Sequence, residues 1–279
     1  MTALPKKLAI LAGGGSLPKN VVEACQRDGI PFIVVNLGGA AESWIEAYNP
    51  LTVALGQVGL MLDTMKSEGC DTVTMAGPLS RPQLSKVRFD WQGAKMLPRV
   101  AKLFRQGDDA LLSGIASLFE EQGFRVIGPE TLLSSMVASA GVLTMTEPMK
   151  GHLDDIARGR AILTALGPHD VGQAVVVAEG VCLAIEAAEG TAQMLVRVAE
   201  LRVSEARAGV LIKLPKPSQD RRVDLPTIGP DTATAVARAR LAGIAVEADA
   251  GFILEREETI RRCNEEGLFL TGLPPVSHD

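Results

Sequence analysis

The chain has 279 residues, of which 47% are hydrophobic and 22% charged, enough to bury the core of one or two globular domains. Its formal net charge is −5 and it contains no basic stripe, so we expect no nucleic-acid partner. No apolar run reaches the roughly 18 residues of a membrane span, and the short apolar run after Lys6 and Lys7 is not an export signal. We therefore expect a cytoplasmic protein.

Neither the cysteines nor the histidines have the spacing of a metal site. The four cysteines form no CxxC pair and the three histidines are far apart in the sequence, so neither a zinc knuckle nor a dithiol redox motif is indicated. A cysteine–histidine or serine–histidine nucleophile stays open at this point, although no local pattern supports one.

Short aliphatic runs alternate with helical patterns over residues 1–132. Apolar runs without polar alternation are typical of strands covered on both faces. Strands that alternate with helices predict a parallel sheet with right-handed crossovers. The first part of the chain is therefore predicted to be an α/β domain with a parallel sheet. Its predicted strands and helices cover residues 8–11, 18–27, 32–35, 58–67, 72–75, 110–122 and 124–127.

The pattern changes after residue 132. We expect a linker over residues 133–150, a C-terminal mixed α/β domain over 151–273 and a frayed tail over 274–279. Two apolar runs separated only by Glu179 and Gly180 predict a β-hairpin. Further elements are predicted at residues 153–166, 191–201, 209–213, 232–242, 244–246, 252–254, 256–266 and 268–270. The predicted fold class of the whole chain is α/β.

A glycine loop follows the first predicted strand and precedes a helix. Its residues are Gly13, Gly14, Gly15 and Ser16. Glycines let the backbone approach a ligand closely, and a helix N-terminus favours an anion, so the loop suits a nucleotide or phosphate. The GxGxxG fingerprint is absent, and the second strand ends at Asn36 where a nicotinamide dehydrogenase would place an acid. A tight turn without a ligand is the alternative.

The loop after the third strand lies at the same edge of the predicted sheet, where ligands of open parallel sheets bind. It contributes Gly77 and Arg81 as further substrate-binding candidates. Arg81 stands between two prolines and could face a phosphate, but a solvated loop arginine is an equal alternative.

Residues 219–230 combine two aspartates and two arginines with two prolines and a glycine. Guanidinium groups bind phosphate oxygens in pairs, and carboxylates bind hard cations or activate water. The alternative is a surface loop whose charges pair with one another. The candidate site residues of this segment are Gln219, Asp220, Arg221, Arg222, Asp224 and Thr227.

Polar residues elsewhere in the second half complete a candidate anion site. Lys213 ends a predicted strand, and Gly190 and Thr191 open a predicted helix whose amides can bind an anion. Glu179 and Glu189 place carboxylates at turns, although Glu179 could simply fill an exposed hairpin turn. Cations beside acids suit phosphate-ester or pyrophosphate cleavage, which needs positive charge on the transferring oxygens and an oriented water.

Four blocks of this sequence resemble the UDP-2,3-diacylglucosamine pyrophosphatases of the LpxI type. The blocks occur in the same order and cover nearly the whole chain, and the C-terminal ones are long and particular. They are LAILAGGGSLP at residues 8–18, AGPLSRP at 76–82, VVVAEGVCLAIEAAEGT at 175–191 and GVLIKLPKPSQDRRVDLPTIGPDT at 209–232.

This resemblance implies hydrolysis of the pyrophosphate of UDP-2,3-diacylglucosamine to UMP and 2,3-diacylglucosamine 1-phosphate (lipid X), a step of lipid A synthesis. It also implies that residues 1–132 form a Rossmann-like nucleotide-binding domain and that residues 151–273 form the catalytic domain. The resemblance further implies dependence on a divalent cation, usually Mg²⁺. Asp224 is expected to be the essential catalytic residue, supported by Asp220 and Lys213. Asp224 and Glu179 are the candidate metal ligands.

The implied partners are a lipid-linked UDP-sugar and, transiently, the surface of the inner membrane. The resemblance also suggests a homodimer. Two other functions stay open from the residues alone, a nucleotide-dependent oxidoreductase and a nucleotide-binding regulatory module without catalysis.

Overall fold

The computed structural model describes residues 5–38, 43–79, 87–201, 206–217 and 219–275. The chain forms two compact units. The first contains Met1–Ser134 together with Arg222–Asp224, and the second contains Ser135–Arg221 and Leu225–Asp279. Both units combine helices with sheets, so the predicted α/β class is confirmed.

The first unit is built on a five-stranded parallel sheet in the order β3-β2-β1-β4-β5. Its central strand β1 is a continuous, fully buried apolar run, as expected for a sheet covered on both faces. The strands are β1 (Leu8–Ala12), β2 (Phe32–Leu37), β3 (Leu51–Val53), β4 (Thr72–Ala76) and β5 (Arg125–Val126). The helices are α1 (Leu17–Asp28), α2 (Val58–Ser67), α3 (Trp91–Phe104) and α4 (Asp108–Glu121).

The direction in which the chain adds strands reverses next to β1. After β1 the chain places β2 and β3 on one side of it, and then β4 and β5 on the other. In open parallel sheets such a switch point opens a crevice at the carboxyl ends of the strands, where ligands bind. The loops that follow β1 and β4 therefore lie at the position in this unit that is best suited to a ligand.

The segment Arg222–Asp224 belongs to the first unit although it lies far along the chain. Val223 packs against the hydrophobic core formed by the sheet, α2 and α4. Arg222 forms an ion pair with Glu120 of α4 at 2.6 Å. These two contacts fix the backbone on the N-terminal side of Asp224.

The second unit has a six-stranded mixed sheet in the order β6-β13-β11-β9-β7-β8 and a two-stranded parallel sheet of β10 and β12. Strands β9, β11 and β13 are parallel to one another. Strand β6 pairs antiparallel with β13, and β7 pairs antiparallel with both β8 and β9. The strands are β6 (Gly141–Val142), β7 (Ala174–Ala178), β8 (Val181–Ile185), β9 (Val210–Lys213), β10 (Thr227–Ile228), β11 (Gly243–Glu247), β12 (Phe252–Ile253) and β13 (Phe269–Leu273).

Helices cover both faces of the mixed sheet. Helix α5 packs on one face through Ile156 and Leu163. The other three pack on the opposite face, where Met194 and Val236 are fully buried. The helices are α5 (Lys150–Leu166), α6 (Gly190–Leu201), α7 (Pro230–Arg238) and α8 (Arg256–Glu265). No helix in the described ranges is both long and apolar enough to cross a membrane.

The predicted hairpin is confirmed, and a buried carboxylate holds its turn. Strands β7 and β8 pair antiparallel around Glu179 and Gly180, whose φ values of 52° and 77° are left-handed. Their amides donate to the carboxylate of Asp155 in α5 at 3.0 and 2.7 Å. Asp155 is 3% exposed, so its carboxylate is hydrogen-bonded to the turn and is shielded from solvent.

Several predicted boundaries differ from those of the structure, and four strands and helices were not predicted. Helix α7 begins at Pro230, a residue suited to the first helical position, and it ends at Arg238 rather than Ala242 because Arg240 adopts a left-handed φ of 54°. Strand β13 extends to Leu273 rather than ending at Leu270. The strands and helices that were not predicted are β3, β6, β10 and α3.

Candidate functional site

The glycine loop after β1 packs directly against the loop after β4. The Gly13 amide donates to the Ala76 carbonyl at 2.8 Å, and the Gly14 amide donates to the Pro78 carbonyl at 2.9 Å. A Cβ at Gly13 would lie 2.6 Å from the Gly77 carbonyl oxygen. This close backbone approach explains why glycine is required, and it commits two loop amides to the protein rather than to a ligand.

The start of α1 is the part of this loop that stays suited to an anion. Ser16 is the N-cap residue, but its side chain makes no capping hydrogen bond. The first amides of a helix have no partner within the helix and carry a partial positive charge. A phosphate at this loop would therefore be held by Gly15, Ser16 and the first turn of α1.

Two buried amide side chains near this loop have polar atoms without a protein partner. Asn36, at the carboxyl end of β2, is 5% exposed, and its Oδ1 makes no hydrogen bond. The Nδ2 of Asn20, in the first turn of α1, is also buried without a partner. Buried polar atoms nearly always have a partner, so a ligand or an ordered water is expected at each. Arg81, the other predicted residue of this edge, lies outside the described residues.

In the second unit, three predicted site residues meet around one ammonium group. The Nζ of Lys213, at the end of β9, donates to the Thr191 hydroxyl at 2.9 Å and to the Thr227 carbonyl at 3.2 Å. The Thr191 hydroxyl donates in turn to Oε1 of Glu186 at 2.6 Å. Four elements, β8, α6, β9 and β10, therefore converge on what we call the Lys213 cluster, formed by Lys213, Thr191, Thr227 and Glu186.

Glu186 is the member of the Lys213 cluster that the sequence did not reveal. It follows β8 directly, is 8% exposed, and its Oε2 accepts from the Gln173 amide at 3.2 Å. An ionised carboxylate only accepts hydrogen bonds. The Thr191 proton must therefore point at Glu186, which leaves a lone pair of the hydroxyl oxygen for Lys213. A buried acid that balances a nearby cation is the signal that could have identified it, but burial is not visible in the sequence.

The Lys213 cluster lies beside the N-terminus of α6, which begins at Gly190. Lys213 and the helix N-terminus are both positive, and Glu186 supplies one negative charge against them. Glu189 does not add a second uncompensated negative charge, because it forms an ion pair with Arg197. Backbone hydrogen bonding at Glu189 itself and then Arg197 hold the pKa of the Glu189 carboxyl below its usual value. The arrangement suits an oxyanion better than a cation.

The charged segment after β9 is mostly paired within its own unit. Gln219 is 8% exposed, and its Oε1 accepts from the Lys216 amide at 2.9 Å, which closes a turn. Lys216 forms an ion pair with Asp170. Arg221 forms one with the buried Glu247 at 3.1 Å. Arg221, Glu247 and Lys216 also line a cavity of about 100 Å³, which is large enough for a few water molecules.

The two aspartates of this segment belong to different units. Asp220 is half-buried and lies in the second unit, whereas Asp224 is half-buried and lies in the first. The partner of Arg222 is Glu120, so its charge is already balanced in the protein. The assignment of Asp224 as the catalytic residue stays a prediction.

A metal held by protein side chains alone does not fit the described residues. No group of three or more His, Cys, Asp or Glu side chains in those ranges could hold a metal ion. Glu179, predicted as a ligand, is exposed at the hairpin turn. Mg²⁺, however, is usually held by one or two carboxylates together with substrate phosphates and water. The acids present fit a cation of that kind.

The cysteines lack the character of activated nucleophiles. Burial raises the pKa of the Cys25 thiol to about 11 and that of Cys263 to about 12. Burial is also the main cause that raises the pKa values of Cys70 and Cys182. A reactive cysteine needs a lowered pKa, so none of the four is poised for nucleophilic catalysis.

Comparisons with known proteins cover both units. The LpxI N-terminal domain model matches residues 7–136, and the LpxI C-terminal domain model matches residues 139–271. The UDP-2,3-diacylglucosamine pyrophosphatase LpxI of Caulobacter vibrioides is 40% identical over 275 residues, which cover 97% of this chain and 98% of that protein.

The packing of the two glycine loops predicts that Gly77→Ala is strongly destabilising. Gly77 has a φ of +83°, and a Cβ there would lie 2.2 Å from the Gly14 carbonyl oxygen. Gly123 has a φ of +90°, but a Cβ there would have no neighbouring atom within 4 Å, so Gly123→Ala is a matched control. We expect the control to lower the free energy of unfolding by roughly 1–2 kcal/mol and Gly77→Ala by roughly 1–3 kcal/mol more. Thermal unfolding measures both, and equal losses would contradict the account.

Proposed function

The chain belongs to the LpxI family, and we propose that it hydrolyses the pyrophosphate bond of UDP-2,3-diacylglucosamine to release UMP and 2,3-diacylglucosamine 1-phosphate in lipid A biosynthesis. The relative of 40% identity is named for acting on this substrate, and the identity extends over 97% of this chain. The structural observation that carries the proposal is the Lys213 cluster, a half-buried ammonium group held at a helix N-terminus.

We assign the Lys213 cluster to the pyrophosphate. The leaving phosphate gains negative charge as the bond to it breaks, and fixed positive groups that are already oriented stabilise that charge. Two hydrogen bonds hold the Lys213 ammonium, to Thr191 and to the Thr227 carbonyl. It therefore need not reorganise when the substrate binds. The Gly190 amide donates to the Ala187 carbonyl at 3.1 Å, but the N-terminus of α6 still contributes a positive potential.

The loop after β1 is assigned to the nucleotide part of the substrate. Gly15, Ser16 and the first turn of α1 are suited to a phosphate oxygen. The unpartnered Oδ1 of Asn36 would accept a hydrogen bond, and the unpartnered Nδ2 of Asn20 would donate one. The absence of an acid at the end of β2 weighs against a nicotinamide cofactor at this edge.

Asp224 is assigned as the residue that orients the attacking water or holds a divalent cation. Val223 anchors its backbone by core packing, and the exposed ion pair between Arg222 and Glu120 adds a weaker restraint. When bound, Mg²⁺ would neutralise charge on the pyrophosphate oxygens. Asp224 is the carboxylate that we expect to hold it, and Glu179 and Asp220 are weaker candidates.

The location of the protein follows from the chemistry of this substrate. A diacylated sugar nucleotide resides in a membrane, whereas its product UMP is water-soluble. We therefore propose a cytoplasmic protein that visits the surface of the inner membrane, and a homodimer stays a prediction.

The direct test is UMP release from UDP-2,3-diacylglucosamine by the purified full chain, followed by chromatography. We expect turnover that EDTA abolishes and that added Mg²⁺ restores. Failure to release UMP in the presence of Mg²⁺, Mn²⁺ or Ca²⁺ would reject the activity. Turnover that persists in EDTA would reject the metal while leaving the hydrolysis in place.

Asp224→Ala tests the assignment of the catalytic carboxylate. We expect kcat to fall by roughly 10³-fold or more, since removal of a group that acts in the transition state costs about this much. Substrate binding and the thermal midpoint should stay close to those of the parent. Asp231→Ala, an exposed aspartate in the first turn of α7, is the matched control. Near-normal kcat in Asp224→Ala would reject the assignment.

Thr191→Val tests whether the hydroxyl is the link between Glu186 and Lys213. Valine has the shape of threonine without its hydroxyl, so it leaves a buried carboxylate and an ammonium group short of a partner. Hydrogen bonds to charged groups contribute about 1.5–3 kcal/mol, so we expect kcat/KM to fall by roughly 10- to 100-fold. Thr191→Ser keeps the hydroxyl and should retain most activity. Full activity in Thr191→Val would contradict the hydrogen-bonded link, and an equal loss in Thr191→Ser would show that packing of the methyl group matters as well.

A further inference from the structure

Helix α3 has one face packed on the first unit and one face in solvent. Met96 packs against the hydrophobic core, and the methyl groups of Leu103 contact Gly114 of α4 so closely that a Cβ there would lie 2.3 Å away. The opposite face is exposed along the whole helix. This exposed face consists of Trp91, Ala94, Lys95, Pro98, Arg99, Lys102 and the C-cap residue Arg105.

The exposed face of α3 is basic within an acidic protein. Residues 91–107 contain four lysines and arginines and no aspartate or glutamate, whereas the whole chain has a formal net charge of −5. Arg99 has a carboxylate partner, Glu121 at 2.7 Å. Within the described part of the chain, Lys95 and Lys102 have no such partner. These cations share one face only once α3 forms, which is why no basic stripe was apparent in the sequence. The exposed face of α3 is therefore a concentrated positive surface.

A large aromatic side chain stands at one end of this positive surface. Trp91 is 77% exposed, and the Lys95 ammonium lies 5.9 Å from the centre of its ring. An exposed tryptophan ring keeps a large apolar surface in contact with water, which is unfavourable unless a partner covers it. Tryptophan is enriched at the headgroup layer of membranes, where its ring is apolar and its N–H is hydrogen-bonded.

The start of α3 is fixed rather than loose. The Asp90 carboxylate accepts from the Gly93 amide at 2.7 Å and caps α3. The same carboxylate accepts from the amides of Gly59 and Leu60 at the start of α2, at 2.7 and 3.2 Å. One side chain thus joins the N-termini of two helices, and Trp91 projects from the first position after it.

We propose that the exposed face of α3 binds the surface of an anionic lipid bilayer, with Trp91 inserted at the headgroup layer and the basic side chains on acidic lipid phosphates. The reason for such a surface rests on the proposed function, because the diacylated substrate must be collected from a membrane. Positive charge together with an interfacial aromatic is the combination that surface-bound helices use. A single tryptophan also offers little for nucleic acid, whose binding surfaces stack several bases on successive aromatics.

The test is flotation of the full chain with phosphatidylcholine vesicles that contain or lack phosphatidylglycerol. We expect binding to the anionic vesicles only, weakened by added salt because screening removes attraction at the surface. A cation near an anionic surface strengthens binding by about fivefold. The double variant Lys95→Glu and Lys102→Glu should therefore bind at least about 25-fold more weakly.

The matched control is the double variant Lys19→Glu and Lys66→Glu. It changes the net charge by the same amount on exposed positions of α1 and α2, and it should bind anionic vesicles more tightly than the α3 variant by at least about tenfold. Equal binding by the two double variants would overturn the proposal, because net charge and not α3 would then be responsible. Binding to single-stranded RNA without binding to anionic vesicles would overturn it as well.

Tryptophan fluorescence gives an independent readout of the docked surface. Trp91 is exposed in the free protein and Trp44 is half-buried, so anionic vesicles should shift the emission of the wild type to shorter wavelength. Trp91→Phe should lose this shift while Trp44 still emits. An unchanged shift in Trp91→Phe would contradict the insertion of Trp91.

Hydrolysis assays separate this proposal from the proposed function. With substrate in neutral detergent micelles, the α3 variants should match wild-type kcat/KM. With substrate in anionic vesicles, they should fall in proportion to their loss of vesicle binding. Absence of hydrolysis by the wild type in micelles would reject the proposed function alone, since flotation and fluorescence do not depend on turnover. Full activity of the α3 variants on anionic vesicles would overturn the docking proposal.

Discussion

The hydrogen-bonded chain from Glu186 through Thr191 to Lys213 is the constraint on which the candidate chemistry of the second unit depends. A buried carboxylate without a partner would be costly. The Glu186 carboxylate accepts one hydrogen bond from the Thr191 hydroxyl and another from the backbone amide of Gln173. Because the Thr191 hydroxyl must donate its proton to Glu186, its oxygen accepts a hydrogen bond from the Lys213 ammonium group. The position of the ammonium group is therefore set by the packing of β8, α6 and β9, and substrate is not needed to order it.

In the first unit, both backbone and side-chain contacts hold the elements near the proposed ligand. The loops after β1 and β4 interlock at glycines, and Asp90 joins the starts of α2 and α3. The segment around Asp224 is added to the same unit by Val223 in the core and by the Arg222–Glu120 ion pair. Residues that carry the chemistry are thereby placed on rigid supports, as a preorganised site requires.

Most of the sheet architecture could be predicted from the sequence, because continuous apolar runs such as Leu8–Ala12 have few alternatives to a covered parallel strand. Helix α3 was missed because Pro98 lies inside it and Gly93 near its start, and both normally argue against a helix. Strand β6 has only two residues, too few for a periodic signal. Family membership was recognised correctly, because long particular blocks carry more information than a glycine loop.

Side-chain pairing was the part of the site that sequence reasoning could not supply. The glycines after β1 were expected to serve a ligand, yet two of their amides bond to the neighbouring loop. Arg221 and Arg222 were grouped as phosphate ligands, but they pair with Glu247 and Glu120, acids far away in sequence. Glu186 and Asp155 were not singled out in the sequence, because nothing local indicates that the fold buries them. Tertiary partners decide each case, and they depend on residues that are distant along the chain.

The most direct test of the central claim is a double-mutant cycle on kcat/KM with Lys213→Met and Glu186→Gln. If Glu186 acts on the substrate only by positioning Thr191 and Lys213, its loss should matter little once the ammonium group is gone. We predict that the double variant is no more than about twofold less active than Lys213→Met alone. Losses that multiply in the double variant, in proteins that remain folded, would contradict the account.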